Sequence, residues 1–282
     1  PIDFYEIYLI DSKNKISGIV SLGRIMSSKR DVALINIQHK ETRVINYLTD
    51  QEDVAYQFTK YALVSAPVVD DYNHVIGSIT VDDVVEVIEE EREEDILKLG
   101  GVGQIDIFEA TINTIKSRFS WLLINLLTAI VASIVIAFFQ ASIEKVVALA
   151  VLMPIVASMG GNAGTQTMTV AVRAIATREL TPNNTFKIIS KEIFVGIING
   201  LIFAVITGII SAYWFSDNFL GFILAIAMVA NLLIAGFVGA VIPITLHKLK
   251  IDPALASGVL LTTITDVFGF LSFLGLATFF LI

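Results

Sequence analysis

The sequence predicts an α-helical membrane protein with five transmembrane helices, preceded by a smaller α+β module. The first reason is composition: of the 282 residues, 55% are hydrophobic and 16% are charged, whereas a soluble domain carries about 25% charged residues. The second is uneven charge, since acidic residues concentrate in roughly the first hundred positions and apolar runs fill the rest. The two parts of the chain are therefore expected to lie in different solvents.

Charge and residue types exclude several functional classes. The formal net charge of −8 argues against a nucleic-acid partner. The absence of cysteine excludes disulfides and thiolate metal sites. The three histidines are scattered and no nucleophile–base pair is apparent, so an enzyme is not predicted. The chain begins at Pro1 inside what reads as a structured segment, and a further portion upstream is therefore expected.

A loose internal repeat organises the N-terminal module. The segment Leu9–Val20 recurs 59 residues later as Val68–Ile79. Each copy has a β-rich apolar run, a polar Asp/Asn turn and a second run containing Gly, which predicts a β-hairpin. Between the copies, Gln51–Tyr61 is predicted to be helical, with Thr49 or Asp50 as its N-cap.

This order of strands and helices resembles a tandem CBS (cystathionine-β-synthase) pair. The resemblance implies a partial first motif in residues 1–30, lacking its opening strand and helix, and a second motif in residues 31–84. CBS pairs usually sense adenine nucleotides or ions, and the alternative is a structural spacer. ATP is left open as a ligand of the module, with no residue here that supports it.

A long acidic helix is predicted at Val81–Leu99, where only Arg92 opposes the carboxylates of Asp82–Asp95. Like charges three or four residues apart on a helix repel, and divalent cations, which prefer oxygen ligands, would relieve that repulsion. A solvated charged face is the alternative. Residues 85–117 connect the module to the membrane domain and are a candidate gate; a second amphipathic stretch, Ile105–Arg118, begins within them.

The membrane domain is assigned to residues 118–282. A hydrocarbon core of about 30 Å requires about 20 apolar residues in a helix. Five segments qualify: Phe119–Phe139, Val146–Ala174, Ile188–Phe215, Phe219–Leu246 and Pro253–Ile282. Polar, Gly and Pro residues interrupt the second and fifth, which lipid tolerates only where protein or a water-filled cavity satisfies the backbone.

Basic residues predict the orientation of the spans. Those near one set of span ends are Lys116, Arg118, Arg173, Arg178, Lys187, Lys191, Lys248 and Lys250. The opposite loops contain only Lys145. Because cytoplasmic loops carry an excess of Lys and Arg, we expect a multi-pass protein of the cell membrane with a cytosolic N-terminal module and an extracytosolic C-terminus.

Asp266 lies near the middle of the fifth predicted span. A charge at the centre of a membrane helix costs roughly 2.5–3.5 kcal/mol on insertion scales. No Lys or Arg in any predicted span lies at a comparable depth to neutralise it. We therefore expect this side chain to face a cavity, a partner or an ion. Protonation is the other possibility, and it would favour proton coupling.

Helical spacing places further residues on the face of Asp266. Gly258 and Thr262 precede it at intervals of four residues and share that face. Asp252 lies fourteen residues earlier, within about 40° of the same face and about 21 Å away along the axis. A carboxylate at the cytosolic mouth and another at mid-membrane are the arrangement expected of an ion pathway.

The second predicted span contains Pro154, a Gly pair and two side-chain amides, Asn162 and Gln166, four residues apart. Proline removes a backbone donor and glycine loosens a helix, so carbonyls are expected to be freed toward water or a hydrated ion. The alternative is close helix packing by small residues, with Asn162 as an interhelical hydrogen bonder.

Two motifs resemble the signatures of the MgtE family of magnesium channels. One is Met153–Gln166 with its Gly-Gly-Asn-Ala-Gly core, and the other is Asp252–Gly258 followed by Thr262, Thr263 and Asp266. The resemblance implies a homodimer in the lipid bilayer that passes Mg²⁺ along its two-fold axis, between spans two and five of both subunits. Other divalent cations are left open.

The resemblance also implies roles for individual residues. Asp266 matches the selectivity carboxylate, Thr262 offers a carbonyl one turn below, and Asp252 matches the acid that meets the connecting, or plug, helix. Gly258 and Asn162 complete the predicted pore set. The regulatory Mg²⁺ sensors are predicted at Asp82, Asp83, Glu86, Glu90, Glu94, Asp95 and Glu109.

Gating is expected to be negative feedback, in which high cytosolic Mg²⁺ bridges the acidic segments and holds the pore closed. Two other classes stay open on the sequence. One is a proton- or Na⁺-coupled divalent cation transporter that uses Asp266 as a relay. The other is a membrane-anchored CBS sensor without transport.

Overall fold

The computed structural model describes residues 5–39, 42–102 and 110–281. The chain divides into two compact units, residues 1–95 and 96–282. The elements of the first unit, with the helix that leaves it, are β1 (Glu6–Ile10), β2 (Ile16–Ser21), α1 (Leu22–Ser27), a 3-10 turn (Leu34–Asn36), β3 (Ile45–Asn46), α2 (Gln51–Tyr61), β4 (Ser65–Val69), β5 (Val75–Thr80) and α3 (Val81–Leu99).

The predicted repeat of hairpins is confirmed in atomic detail. Strands β1 and β2 pair antiparallel, as do β4 and β5, and β3 adds to β4 in parallel. In the first turn the Asp11 carboxylate accepts hydrogen bonds from two backbone amides, and Asp70 does the same in the second. Asn14 and Asn73 hold the corresponding positive-φ positions, at 61° and 64°, because Asn tolerates the left-handed region.

Helix α2 begins and ends at the predicted residues. Asp50 caps it by accepting a hydrogen bond from the amide of Glu52 at 3.0 Å. Val54 and Phe58 are four residues apart and face the core. The buried core of this unit consists of Ile45, Val54, Ala55, Phe58, Ala66 and Val84.

The second unit is a helical bundle. Its helices are α4 (Thr111–Phe138), α5 (Gln140–Lys145), α6 (Ala148–Ala176), α7 (Thr185–Phe215), α8 (Asn218–Lys248) and α9 (Pro253–Leu281). All but the short α5 are long and apolar enough to cross a membrane, which gives five candidate spans in the described chain. The predicted fold class is confirmed.

Two details differ from the sequence prediction. Helix α4 begins at Thr111, before the predicted start at Phe119, so residues 111–118 of the amphipathic stretch share one helix with the first span, while residues 105–109 lie outside the described residues. Helix α6 continues unbroken through Pro154 and the Gly pair. Neither Pro154 nor the Gly pair interrupts the helix. Pro154 removes one backbone donor near the start of α6. Gly160 allows the close approach of Asn231 on α8.

Helix α8 is the centre of the bundle and the most deeply buried span, whereas α4 is almost fully exposed and packs mainly against α9. Helices α7 and α8 approach closely at Gly196, where an added Cβ would lie 2.6 Å from the Leu232 carbonyl oxygen. Small residues at such positions allow membrane helices to pack tightly. The exposed apolar side chains of α4 are those expected to face lipid.

Candidate ion pathway in the membrane unit

Asp266 lies on α9, with its side chain partly exposed. Within the described part of the chain it forms no ion pair and no hydrogen bond. A carboxylate at this depth is unfavourable in lipid. An ionised Asp266 therefore requires water, an ion or another subunit beside it.

The hydroxyl groups of the threonines around Asp266 donate hydrogen bonds to backbone carbonyls of the same helix. Thr262 donates to the carbonyl of Gly258 at 3.1 Å, and Thr265 donates to that of Leu261 at 3.0 Å. Thr265 also donates to the Thr262 carbonyl at 3.1 Å. The family resemblance implies that the Thr262 carbonyl faces the pore, but this carbonyl already accepts a hydrogen bond from a side chain. Thr262 itself is exposed.

Helix α6 carries an exposed polar stripe. Ser158, Asn162 and Gln166 follow one another at four-residue intervals, and all three are exposed in the single chain. The Asn162 amide donates to the Ser158 hydroxyl at 3.3 Å. Gly161 on α6 and Gly258 on α9 have open space where a side chain would begin. Polar groups facing lipid are costly, so this stripe is expected to be covered by water or by a second subunit.

Asp252 forms two polar contacts at the start of α9. One oxygen accepts from the Ala254 amide at 2.8 Å and caps the helix. The other accepts from the Lys98 ammonium group, at the end of α3, at 2.7 Å. Leu99 packs beside this pair against a buried cluster that includes Ala254 and Leu261. The ion pair with Lys98 is thus a contact between Asp252 and the connecting segment, as the sequence analysis predicts.

The predicted regulatory acids lie on α3, apart from Glu109, which falls outside the described residues. Asp82, Asp83, Glu86 and Glu90 are exposed, whereas Glu94 and Asp95 are partly buried. Asp83 accepts hydrogen bonds from the amide and hydroxyl of Thr80, at 3.0 and 2.8 Å. Asp83 therefore has a structural role at the start of α3.

The first unit contains crowded carboxylates between α2 and α3. The pKa of Glu52 is raised, first by burial and then by the nearby negative charges of Glu91, Asp50 and Asp95. Such repulsion favours a bound cation. Among residues 5–39, 42–102 and 110–281, however, no three acidic or histidine side chains are grouped closely enough to hold a metal ion. A metal site built from these acids would need groups from elsewhere.

Glu192 and Asn231 are buried polar residues of the spans that were not singled out from the sequence. Glu192 on α7 is 8% exposed and accepts a hydrogen bond from the Thr167 hydroxyl on α6 at 3.1 Å. Asn231 on α8 is 1% exposed and donates to the Val156 carbonyl on α6 at 2.7 Å. The only sequence signal was a polar residue within an apolar helix, which does not reveal its partner.

The fold and these polar faces define an integral membrane protein of five spans, joined to an α+β module of CBS type. The comparisons agree for both parts. Residues 153–276 match the MgtE family model, described as a divalent cation transporter, and residues 37–90 match the CBS domain model. The membrane part of the chain thus resembles the MgtE family, whose model describes divalent cation transporters.

Relatives from other organisms cover nearly all of this chain. It is 32% identical over 276 residues to the magnesium transporter MgtE of Bacillus subtilis, covering 98% of this chain and 61% of the relative. It is 34% identical over 276 residues to the magnesium transporter MgtE of Thermus thermophilus, and this match covers 97% of this chain and 61% of the relative. The chain thus spans about three fifths of the length of these relatives.

Among solved structures, the cytosolic domain of the Mg²⁺ channel MgtE in complex with ATP is 32% identical to this chain. The match covers 29% of this chain and 34% of the chain in that structure, with a TM-score of 0.29.

Proposed function

We propose that this chain forms a homodimer that passes Mg²⁺ across the membrane along a path between helices α6 and α9 of the two subunits. The observation that carries the proposal is the pair of polar faces on these apolar helices. The exposed stripe of Ser158, Asn162 and Gln166, together with unpaired Asp266, would be unfavourable against lipid. A second subunit and a hydrated ion would remove that cost.

The preference for a divalent cation follows from charge. Two Asp266 side chains related by symmetry supply about two negative charges, and a monovalent ion gains roughly half the Coulomb energy of a divalent ion beside them. Mg²⁺ gives up its water reluctantly. Contact through the intact hydration shell would bind the ion while letting it leave, as conduction requires.

The orientation proposed is a cytosolic N-terminal module with an extracytosolic C-terminus. The support is the concentration of Lys and Arg at the ends of the spans that face the module. The ion pair between Lys98 and Asp252 then lies at the cytosolic mouth of the path.

Mg²⁺ uptake into liposomes containing the purified chain tests the transport proposal. We expect uptake that follows the Mg²⁺ gradient and persists when a protonophore abolishes the pH gradient. Loss of uptake with the protonophore would instead indicate a proton-coupled transporter. The absence of any Mg²⁺ flux above that of protein-free liposomes would favour a membrane-anchored sensor.

We propose further that cytosolic Mg²⁺ closes the path through the acidic helix α3. Its carboxylates repel one another, and the pKa of Glu52 on the neighbouring α2 is raised first by burial and then by the negative charges of Glu91, Asp50 and Asp95. Mg²⁺ would relieve this repulsion with acids contributed by both subunits. Lys98 supplies a positive charge on the same helix and holds its end beside Asp252.

Replacing Lys98 with Met is expected to raise the Mg²⁺ concentration needed for half-closure of the channel. A partly exposed ion pair contributes at most about 1 kcal/mol, so the rise should be up to about fivefold. Asp252→Asn should have a similar effect, because Asn keeps the helix cap but loses the charge. Single-channel recording with Mg²⁺ on the side of the module measures the shift.

The double variant Lys98→Met with Asp252→Asn should shift closure no more than either single variant, because both changes remove the same ion pair. Lys248→Met is the matched control, since Lys248 is an exposed lysine at the end of α8. Additive effects in the double variant, or an equal shift from Lys248→Met, would contradict the role of the pair.

A further inference from the structure

We infer that Asn231, buried in α8, is a positioning residue that sets the spacing between the two helices proposed to line the ion path. The inference rests on the proposed function and goes beyond it, because Asn231 lies on neither α6 nor α9. Its side chain nevertheless contacts both helices at the level of their polar residues.

The first contact is a hydrogen bond to α6. The Asn231 amide nitrogen donates to the Val156 carbonyl oxygen at 2.7 Å, and the residue is 1% exposed. A hydrogen bond between buried groups in a membrane stabilises the packing of the two helices that it joins. It also fixes direction, since the amide can donate only where the carbonyl lies in its plane.

The second contact is a pair of glycines that enclose the amide. A Cβ on Gly160 of α6 would lie 2.2 Å from the Asn231 nitrogen, and one on Gly269 of α9 would lie 2.9 Å from it. No side chain at either position fits while the amide is present. The Asn231 amide therefore lies between the backbones of α6 and α9 and sets their separation.

These contacts fall next to the candidate pore residues. Gly160 is two residues before Asn162, and Gly269 is three residues after Asp266. Each therefore lies within about one helical turn of its polar neighbour. A change in the separation of the two glycines would move the Asp266 carboxylate relative to the stripe on α6.

The chemistry of Asn231 argues against a purely structural role. Its side-chain oxygen has no hydrogen-bond partner among the described residues. A buried acceptor left unpaired is destabilising, whereas an apolar group of the same shape avoids that cost. Leucine would remove the unpaired acceptor from this site, so the amide is expected to serve a purpose other than stability, as occurs at functional sites.

The test compares Asn231→Leu with the parent protein in liposomes, using separate Mg²⁺ and Ca²⁺ uptake measurements and the thermal midpoint of the purified dimer. Because leucine removes the unpaired acceptor, we expect the midpoint to be unchanged or higher. Because sites of this kind tolerate displacements of only about 0.5 Å, the ratio of Mg²⁺ to Ca²⁺ uptake should fall at least about threefold.

A second pair of variants separates packing from positioning. Gly160→Ala alone should lower the thermal midpoint, because its methyl group overlaps the amide. Adding Asn231→Ala removes all three atoms that the methyl group would meet, so the midpoint should recover. The uptake ratio should stay low in this double variant, because the hydrogen bond to Val156 is still absent.

The outcomes distinguish this inference from the proposed function. If the parent moves no Mg²⁺, the proposed function itself fails. If the parent moves Mg²⁺ and both Asn231→Leu and the double variant keep its uptake ratio, Asn231 does not position the path. If no variant at Asn231 yields a folded dimer, the residue is structural and the inference is overturned.

Discussion

The Asp266→Asn variant is expected to lose at least about nine tenths of the Mg²⁺ uptake of the parent. Asparagine keeps the size of the side chain but removes the charge, and two subunits lose about two charges from one point on the path. At an effective dielectric constant of 20, one charge 4 Å from another contributes about 4 kcal/mol, and twice that with a divalent ion. Even after allowance for hydration, a loss of one order of magnitude needs only about 1.4 kcal/mol.

The measurement is initial Mg²⁺ uptake into liposomes at matched protein content. Asp217→Asn is the control, because Asp217 caps α8 by accepting from the amides of Phe219 and Leu220, and Asn caps equally well. The control should transport as the parent does. Equal uptake by Asp266→Asn and the parent would remove the basis for the channel proposal.

The second large effect is expected from neutralising acids on α3. The Glu90→Gln, Glu94→Gln variant should raise the Mg²⁺ concentration for half-closure about tenfold or more. The variant leaves less repulsion between carboxylates for Mg²⁺ to relieve. It also removes two carboxylates from each subunit, and carboxylates are the side chains that Mg²⁺ prefers as ligands. Recordings with stepped Mg²⁺ on the side of the module give the closure curve.

The same helix offers a matched pair of residues for comparison. Glu89 and Glu93 are exposed and, like Glu90 and the partly buried Glu94, four residues apart, but they lie about 100° around the helix from that pair. Their double replacement by Gln should shift closure little. Equal shifts from the two pairs would indicate a general effect of charge, and no shift from Glu90→Gln, Glu94→Gln would exclude this helix as the sensor.

Much of the fold could be predicted because its signals are local. Helix α3 has the predicted bounds, and α2 is capped by Asp50, one of the two predicted caps, since capping and periodicity depend on neighbouring residues. The spans follow from apolar length, with ends within a few residues of prediction except at α4. There the polar residues before Phe119 hid the continuation of the helix toward Thr111.

The pairing of side chains across helices could not be predicted in the same way. Asp266 was found because a charge in an apolar helix is conspicuous in the sequence alone. The contact of Asn231 with Val156 and Gly160, and the ion pair of Lys98 with Asp252, join residues far apart in the chain. Periodicity gives the face on which a residue lies but not the residue opposite, and that information comes only from the packed bundle.

The short turn after α3 has a mechanical consequence. Gly101 has a φ of +67°, and a Cβ there would lie 1.8 Å from the indole nitrogen of Trp121 on α4. The positive φ and the close approach of Trp121 both require glycine at position 101. The backbone at Gly101 therefore has little room to move toward Trp121. A displacement of the Lys98 end of α3 toward α4 would therefore meet Trp121, and α4 packs mainly against α9, the helix of Asp266.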